Sequence, residues 1–396
     1  MSQLLKESGI NPYIEKAVLL GKEFAKDARE RDKSGGVPVK QLALLKKSGL
    51  LKLLIPQAFG GDEQPWSVIL RVVREIAKVD ASMAHIFGYH FLPLTRILLV
   101  GTPEQQSFYY NGTVANQWFW GNSGNLMDRR LTGRRDGDAY IINGKKGFSS
   151  GSPGSDYLSV LWLDEETSEW IYGAIPTNRK GVTVHNDWDG FGQRQTGSGT
   201  VSYENVVVTK DELLLANAEY KENPFASIVA LLSLSILTNV FVGSARGAIA
   251  EAREYTQTQS RPWIDSGVAH PSEDPSILRQ YGELWIQTES AEGLADKASD
   301  HLDRVWSKGF SVNAEERGEA SIIISAANVF AGNTALDVST RMFDVMGARS
   351  ATIGNGFDRY WRNVRTHTLH NPAEYKLRNV GRWVLTGQYP KPGYYS

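Results

Sequence analysis

The chain reads as an α+β protein built in three successive parts: helices, a compact antiparallel β-domain, and a four-helix bundle. Three observations predict this. Residues 12 to 108 carry apolar side chains at helical spacing. From about residue 116 to residue 212 the chain breaks into short runs rich in β-branched and aromatic residues, separated by turn residues. From Asn223 onward long apolar-periodic stretches return, joined by short turns, as in a bundle. The expected domains are residues 1–115, 116–212 and 213–396.

In the first part, Ala17 to Arg31 has helical spacing, Gly35-Gly36 breaks it, and Val39 to Ser48 resumes it before Gly49. Leu50 to Ile55 runs into Pro56 and the turn pair Gly60-Gly61. Trp66 to Asp80 places Val68, Val72, Ile76 and Val79 on one face. Ala81 to Val100 reads as one buried helix carrying His85, Tyr89 and His90. His85 and Tyr89 stand four apart and share a face; by itself the pair reads as a packed histidine beside a tyrosine.

The β-domain opens with the aromatic-rich run Val114 to Asn122. Ala139-Tyr-Ile-Ile-Asn-Gly144 reads as a strand ending in an Asn-Gly hairpin turn. Tyr157 to Trp162, Ile171 to Ile175, Gly181 to Val184 and Thr200 to Val208 follow as short strands. In the last part, Phe225 to Gln259, Pro275 to Lys308, Ala314 to Met346 and Asn371 to Leu385 are the four long helical segments. Asp274-Pro275 and Asn371-Pro372 supply helix starts.

Composition narrows the function. Lys and Arg total 43 against 44 Asp and Glu, a formal net charge of -1, so nothing steers the chain toward nucleic acid or a membrane surface. Cysteine is absent, which removes disulfides, thiolate catalysis and thiolate-bound metals, and fits a reducing cytoplasm. The polar start Met1-Ser-Gln-Leu-Leu-Lys-Glu is unlike a secretory leader. Phe225 to Val242 is interrupted by Ser227, Ser233, Ser235, Thr238 and Asn239, so a buried helix explains it better than a membrane span of about 20 apolar residues. The glycine-rich stretch Gly190 to Gly199 enters a strand and not a helix, unlike a dinucleotide-binding turn.

Two kinds of cluster carry chemistry. Gly356 to Pro372 gathers Arg359, Tyr360, Trp361, Arg362 and Arg365 ahead of His367 and His370. On a helix ended by Pro372, those histidines share a face and could line a pocket for an anion or for protons; the other reading is a surface helix of stacked cations. With no third ligand nearby, no metal is expected. The second kind comprises Trp118-Phe-Trp-Gly-Asn122, Phe148-Ser-Ser-Gly151, Asp187-Trp188 and Arg194-Gln-Thr196. Each alone reads as a turn. Together, at the rim of a β-domain, they can hold a flat heteroaromatic ring by stacking and edge hydrogen bonds.

The order of the three parts, with Asn143-Gly-Lys-Lys146 followed by Phe148-Ser-Ser-Gly151, resembles the acyl-CoA dehydrogenase superfamily. Phe87-Gly-Tyr-His90, Trp120-Gly-Asn122, Asn186-Asp-Trp188, Ser260-Arg-Pro-Trp263, Trp361 to His370 and Gly387-Gln-Tyr-Pro-Lys-Pro-Gly393 resemble the dibenzothiophene monooxygenases more closely, over nearly the whole chain. The resemblance implies an acyl-CoA dehydrogenase-like fold, a homotetramer, and a two-component reaction. Reduced FMN from a separate NAD(P)H-dependent flavin reductase would react with O2, through a C4a-hydroperoxyflavin, to oxygenate an organosulfur compound from sulfide to sulfoxide or sulfone. It also implies residue roles. His85, Tyr89 and His90 would face the substrate; Asn122, Phe148, Ser150, Trp188 and His367 would surround the isoalloxazine. Arg261 and Arg349 would hold the flavin phosphate from a neighbouring subunit. His370, Ser150, His367 and Asn122 would be the catalytic set on the side where O2 reacts. Hydroxyl and imidazole donors suit a peroxide that must stay protonated, and a planar guanidinium suits a phosphate.

Two departures bear on the substrate. Acyl-CoA dehydrogenases that place a catalytic base just after this arginine-rich segment use Glu in a Tyr-Glu-Gly-Thr pattern. Here the stretch reads His370-Asn371-Pro372-Ala373, with no carboxylate to abstract a proton. An FAD-dependent acyl-CoA dehydrogenase would need its base elsewhere, for instance at Glu254. The loop after Asn122, Ser123-Gly-Asn-Leu-Met-Asp-Arg-Arg130, is several residues shorter than the family's, which implies a more open or differently shaped pocket. An organosulfur compound is the leading substrate reading, and oxidation at nitrogen or carbon of another small molecule is the alternative.

Overall fold

Asn11 accepts the Tyr13 amide and Pro12 sits in the first turn, where a missing N–H goes unfelt, so the first helix starts there. The structure, a computed structural model, describes residues 11–215 and 218–393. The first part holds α1 (Pro12–Ala25), α2 (Ala28–Ser34), α3 (Val39–Lys47), α4 (Trp66–Ala77), α5 (Ala81–Tyr89), α6 (Phe91–Val100) and α7 (Pro103–Asn116). The single helix expected over Ala81 to Val100 is in fact two, joined at His90. Pro93 has no N–H to offer the Tyr89 carbonyl, which breaks the ladder there.

The β-domain contains β1 (Trp120–Ser123), β2 (Leu131–Asp136), β3 (Ala139–Lys146), β4 (Tyr157–Asp164), β5 (Trp170–Pro176), β6 (Val182–Val184) and β7 (Val201–Val208). Two expectations are corrected here. The sheet is mixed and not purely antiparallel: β1 and β2 both pair parallel to β4, while β2/β3, β3/β7, β4/β5 and β6/β7 are antiparallel. Parallel neighbours need a crossover, and the β2–β3 hairpin supplies it by intervening between β1 and β4. The pair Asn143-Gly144 is not the hairpin turn but lies inside β3, where the register against β7 shifts. Gly144 takes a φ of 122°, and a Cβ there would lie 2.0 Å from the Arg130 carbonyl oxygen. The turn itself is Gly137-Asp138, between paired Asp136 and Ala139.

The last part comprises α8 (Ala218–Glu222), α9 (Ile228–Thr258), α10 (Pro275–Lys308), α11 (Ala314–Met346), α12 (Asp358–Thr368) and α13 (Ala373–Thr386). Asp274 accepts the Ser276 amide at the start of α10, and Asn313 and Glu316 form a reciprocal cap on α11. Both helices therefore begin where the sequence places them. The bundle and the N-terminal helices share one continuous apolar core, whereas the β-domain has its own around Tyr140, Trp162 and Val206. Ala81–Val100, Pro224–Thr258 and Ala314–Met346 are long and apolar enough to cross a membrane, and each is mostly buried in this fold.

The α4–α9 contact has no room for side chains. A Cβ at Gly243 would lie 2.4 Å from the Arg74 carbonyl oxygen and 2.6 Å from the Ala77 Cβ; one at Gly247 would lie 1.9 Å from the Lys78 carbonyl oxygen. Backbone cannot retreat as a flexible side chain can. Gly243→Val is expected to destabilise the fold by about 3 kcal/mol, read as a lower urea midpoint; an unchanged midpoint would refute this packing.

Candidate active site at the junction of the three parts

The site is built around the loop from Asn186 to Gly199, which leaves the β-domain and wedges between α2 and α12. Arg194 donates to the Asp32 carbonyl at 2.6 Å, and Arg31 bridges Asp80 at 2.6 Å and Gln195 at 2.5 Å. From the other side the Asn363 side chain accepts the Gln193 amide at 2.6 Å, and Arg362 donates to the Phe191 carbonyl at 2.8 Å. Arg194 and Gln195, read in the sequence as part of a ligand rim, therefore clamp the loop. Arg31 carried no signal, and Arg362 and Asn363 stood out only as part of the cluster from Gly356 to Pro372, because their partners on the loop lie more than a hundred residues away.

The clamped loop presents Trp188, whose indole N–H donates to the Gln193 carbonyl at 2.9 Å. Its ring meets Phe148 edge-on at 5.9 Å between centroids. Phe148 sits at a left-handed φ of 55° and leaves 68% of its surface exposed, unusual for so large an apolar side chain. The next turn places Ser150, whose carbonyl accepts the Asn122 amide at 3.0 Å. Phe148, Ser150, Asn122 and Trp188 thus come together as expected, around a cavity of about 480 Å³.

Hydrogen-bond polarity at Ser150 can be followed atom by atom. Thr196 Oγ1 donates its proton to the Gln193 carbonyl at 2.9 Å, so it accepts from Ser198 at 2.7 Å. While Thr196 donates there, Ser198 accepts from Ser150, 2.7 Å away, although either hydroxyl of that pair can be the donor. In this arrangement Ser150 offers the cavity a lone pair. Run the other way, which both hydroxyl pairs allow, the same chain leaves Ser150 the donor role expected from the sequence.

Opposite this wall stand the imidazoles. His85 Nδ1 and His367 Nε2 are 2.9 Å apart and share one proton, a pairing that the sequence reading did not anticipate. His85 also meets Tyr89 edge-on at 4.2 Å, and the Tyr89 hydroxyl pairs with Ser233 Oγ at 2.8 Å. α12 ends at Thr368, so His370 lies in the following turn and does not share a helical face with His367; its amide reaches the His367 carbonyl at 3.0 Å. Both rings still line the cavity. His85 Nε2 and His367 Nδ1 are buried without partners among the described residues.

His90 does not join them. Its Nε2 donates to the Leu51 carbonyl at 2.8 Å while Nδ1 accepts the Trp120 amide at 3.1 Å, so both nitrogens are engaged in the core. The substrate role expected for it is corrected: on α5, His85 and Tyr89 share one face and His90 points elsewhere. Arg261 and Arg349 also lie off the cavity within one chain; Arg261 is exposed, and Arg349 donates to the Gln259 carbonyl. A second chamber of about 250 Å³ adjoins the first, with Tyr89, Asn122 and His370 in both walls. It contains Arg96, which sequence reasoning passed over because it stands in an apolar run.

Burial holds the three site histidines neutral. Desolvation and then the neighbouring His370 push His85 down to about 3; desolvation, His85 and His370 push His367 well below 6.5; desolvation and then Lys376 push His370 down to about 4. The unfolded chain takes up these protons near pH 6.5, the folded chain only far lower. Their contribution to stability is therefore complete above pH 6.5 and falls as the pH drops toward 4. The melting temperature is expected to decrease from pH 7 to pH 5, by less in His370→Gln than in the parent; equal pH slopes would show that His370 is not held neutral.

Comparison with known proteins agrees with this geometry. Residues 17–117 match the acyl-CoA dehydrogenase N-terminal domain and residues 235–374 the acyl-CoA dehydrogenase C-terminal domain. The chain is 42% identical over 386 residues to a probable FMNH2-dependent monooxygenase, SfnC, of Pseudomonas putida, covering 97% of this chain and 98% of that one. It is 40% identical over 406 residues to a dibenzothiophene monooxygenase of Rhodococcus erythropolis, covering 99% and 97%. The solved structure of methanesulfinate monooxygenase MsuC from Pseudomonas fluorescens superposes with a TM-score of 0.94 at 42% identity, covering 98% of this chain and 100% of that one. The chain belongs to the dibenzothiophene monooxygenase-like, flavin-dependent branch of the acyl-CoA dehydrogenase superfamily.

Proposed function

We propose that the protein is the oxygenase component of a two-component system. It takes reduced FMN from an NAD(P)H-dependent flavin reductase and uses O2 to oxygenate the sulfur of a small organic compound. The observation that carries this reading is a cavity walled by aromatic rings, hydroxyls and neutral imidazoles, with no carboxylate among its described lining residues. Proton abstraction next to a thioester carbonyl needs a base there. Glu254 lines neither chamber, so the dehydrogenase reading has no base at the site.

The residues fit a flavin. The exposed Phe148 ring and Trp188 form an apolar wall for a flat ring system, and Gln193 Oε1 is a buried acceptor without a partner among the described residues. Asn122 and Ser150 would meet the polar edge of the isoalloxazine. Reduced FMN with O2 supplies an electrophilic oxygen when bound. The chain's own residues keep water out and hold protons: the His85–His367 pair shares one, and His370 offers a neutral imidazole on the same wall. Arg261 and Arg349 would clamp the flavin phosphate of a neighbouring copy in a homotetramer, inside the cytoplasm, where a reductase and its nucleotide are at hand. The substrates in the relatives' names, dibenzothiophene and methanesulfinate, are both organosulfur compounds, one neutral and one anionic.

Supplied with a flavin reductase, NADH and FMN, the protein is expected to insert labelled oxygen from 18O2 into an organosulfur compound, and His370→Ala to divert most turnover to H2O2. Release of H2O2 alone from every sulfur compound tried would overturn the reading. Arg261→Ala is expected to weaken FMN binding roughly tenfold or more, the worth of a charge-assisted contact to phosphate, with little change in melting temperature. Unchanged affinity by fluorescence titration would remove Arg261 from the phosphate site.

A further inference from the structure

The turn between β1 and β2 brings a sulfur atom to the mouth of the larger cavity. Met127 lines that cavity with Asn122, Phe148 and Ser150, and 78% of its surface is exposed. The chain has no cysteine, and Met83, Met342 and Met346 are buried in the apolar core. Met127 is therefore the one exposed sulfur among the described residues. Its place is fixed from both sides. The fully buried Lys146 reaches under the turn, and its ammonium donates to the Asn125 carbonyl at 2.9 Å and to the Asp128 carbonyl. The Asn125 side chain accepts the Met127 amide at 3.0 Å, and the Asp128 carboxylate accepts the Gly147 amide at 2.8 Å. Taking an ammonium out of water is costly unless its hydrogens are bonded, and here that bonding goes to two carbonyls on either side of Met127. The thioether is thus presented by a fastened turn, tied to the end of β3.

The surroundings suit a sulfur that is reached from the cavity. Phe148, Phe191 and Leu369 also line it and are also exposed. With Met127 they form an apolar rim, the kind of surface that marks a ligand mouth. A methionine side chain has three rotatable bonds and a polarisable sulfur, so Sδ can turn from the rim toward the space between Phe148 and the imidazoles. A bound organic molecule would fill that space and hold Sδ outside.

We propose that Met127 is a modification site: in turnover without an organic substrate the enzyme oxygenates its own thioether, leaving methionine sulfoxide at the cavity mouth. The inference rests on the flavin oxygenase reading above and adds a second oxygen acceptor to it. In the step one atom of O2 forms the new S–O bond and the Met127 sulfur gives up two electrons. The other oxygen atom leaves as water, with two electrons and two hydrogens from reduced FMN. The sulfoxide is polar, and methionine sulfoxide reductases reverse it. Its dipole in an apolar rim weakens the hold on a flat apolar ring, so turnover that finds no substrate turns the enzyme down until the sulfur is reduced.

The test uses the full-length enzyme with FMN, a flavin reductase, NADH and catalase under 18O2, and reads its peptides by mass spectrometry. Without substrate, most of the Met127 peptide should gain one labelled oxygen, while the Met83, Met342 and Met346 peptides gain none. Dibenzothiophene or methanesulfinate, whichever is oxygenated, should suppress that label. Activity should fall during substrate-free turnover and return with a methionine sulfoxide reductase. It should fall more slowly in Met127→Leu, a swap that keeps the side-chain volume. Met127 left unlabelled while either compound gains 18O would overturn the proposal and leave the oxygenase reading standing. Sulfoxide that forms only when catalase is omitted would do the same, since its oxygen would then have come from H2O2 in solution. H2O2 as the sole product, with neither compound nor Met127 labelled, would bring down the oxygenase reading, and this inference with it.

Discussion

The clamp on the loop around Gln193 is the constraint from which the site follows. The β-domain has its own apolar core, separate from the one shared by the helical parts. Apolar contacts such as Tyr109 against Trp120 and Tyr157 hold one face of the sheet to the helical parts, and the polar clamp fixes how the loop meets α2 and α12. The loop passes so close to α12 that a Cβ at Gly192 would lie 2.1 Å from the Arg362 carbonyl oxygen. Buried ion pairs such as Arg31–Asp80 and Arg362–Asp32 contribute less to net stability than their Coulomb attraction suggests, because both partners lose water. Their geometry is demanding, however, and a registered junction is what a cavity walled by three separate parts requires. Trp188 and Thr196 both hydrogen-bond the Gln193 carbonyl, so the aromatic wall and the hydroxyl chain take their positions from the same clamped atom.

Charge is distributed so that the cavity stays neutral. The deep cations of the junction are matched by carboxylates outside the cavity, and the imidazoles inside are kept unprotonated by burial. A wall of neutral donors and acceptors can hold a proton at a defined atom without stabilising a free base, which suits chemistry that water and strong bases would divert. The His85–His367 bond carries one proton, and the rings' other nitrogens have no partner among the described residues, so either ring can present N–H or lone pair to its side. Ser150 has a similar freedom, because either hydroxyl of each pair in its chain can be the donor.

What the sequence made legible was local. α10 and α11 were readable to the residue because Asp274-Pro275 and the Asn313–Glu316 cap act within one turn. Phe148, Ser150, Asn122 and Trp188 were recognisable as fragments, and the family resemblance supplied their grouping. The mixed sheet was hidden because its parallel pairs join strands that are not consecutive: β2 and β3 lie between β1 and β4, and β3 between β2 and β4. Asn143-Gly144 has the composition of a turn, yet the Asn143 side chain accepts the Asn205 amide at 2.8 Å and holds a bulge inside the strand. His90 was misplaced because spacing on a helix says which residues share a face and not which face meets the cavity. The partnership of His85 with His367 spans 282 positions, and nothing local to either announces it.

The fold's change of chemistry goes deeper than one missing carboxylate. Asn371 does more than replace an acid: its side chain lines a different cavity, with Arg365 and Lys376, on the far side of His367. Its carbonyl accepts Lys376 Nζ at 2.8 Å, and its Nδ2 is buried with no partner among the described residues. Burial pushes Lys376 down to about 8, still mostly protonated at neutral pH. A carboxylate at this position would sit near Arg365, Lys376 and Glu374, in a cavity other than the two chambers. α12 ends at Thr368, and the turn that follows aims His370, not residue 371, into the space shared by the two chambers. Backbone geometry at the end of α12 thus places an imidazole in the walls of both chambers and residue 371 in neither.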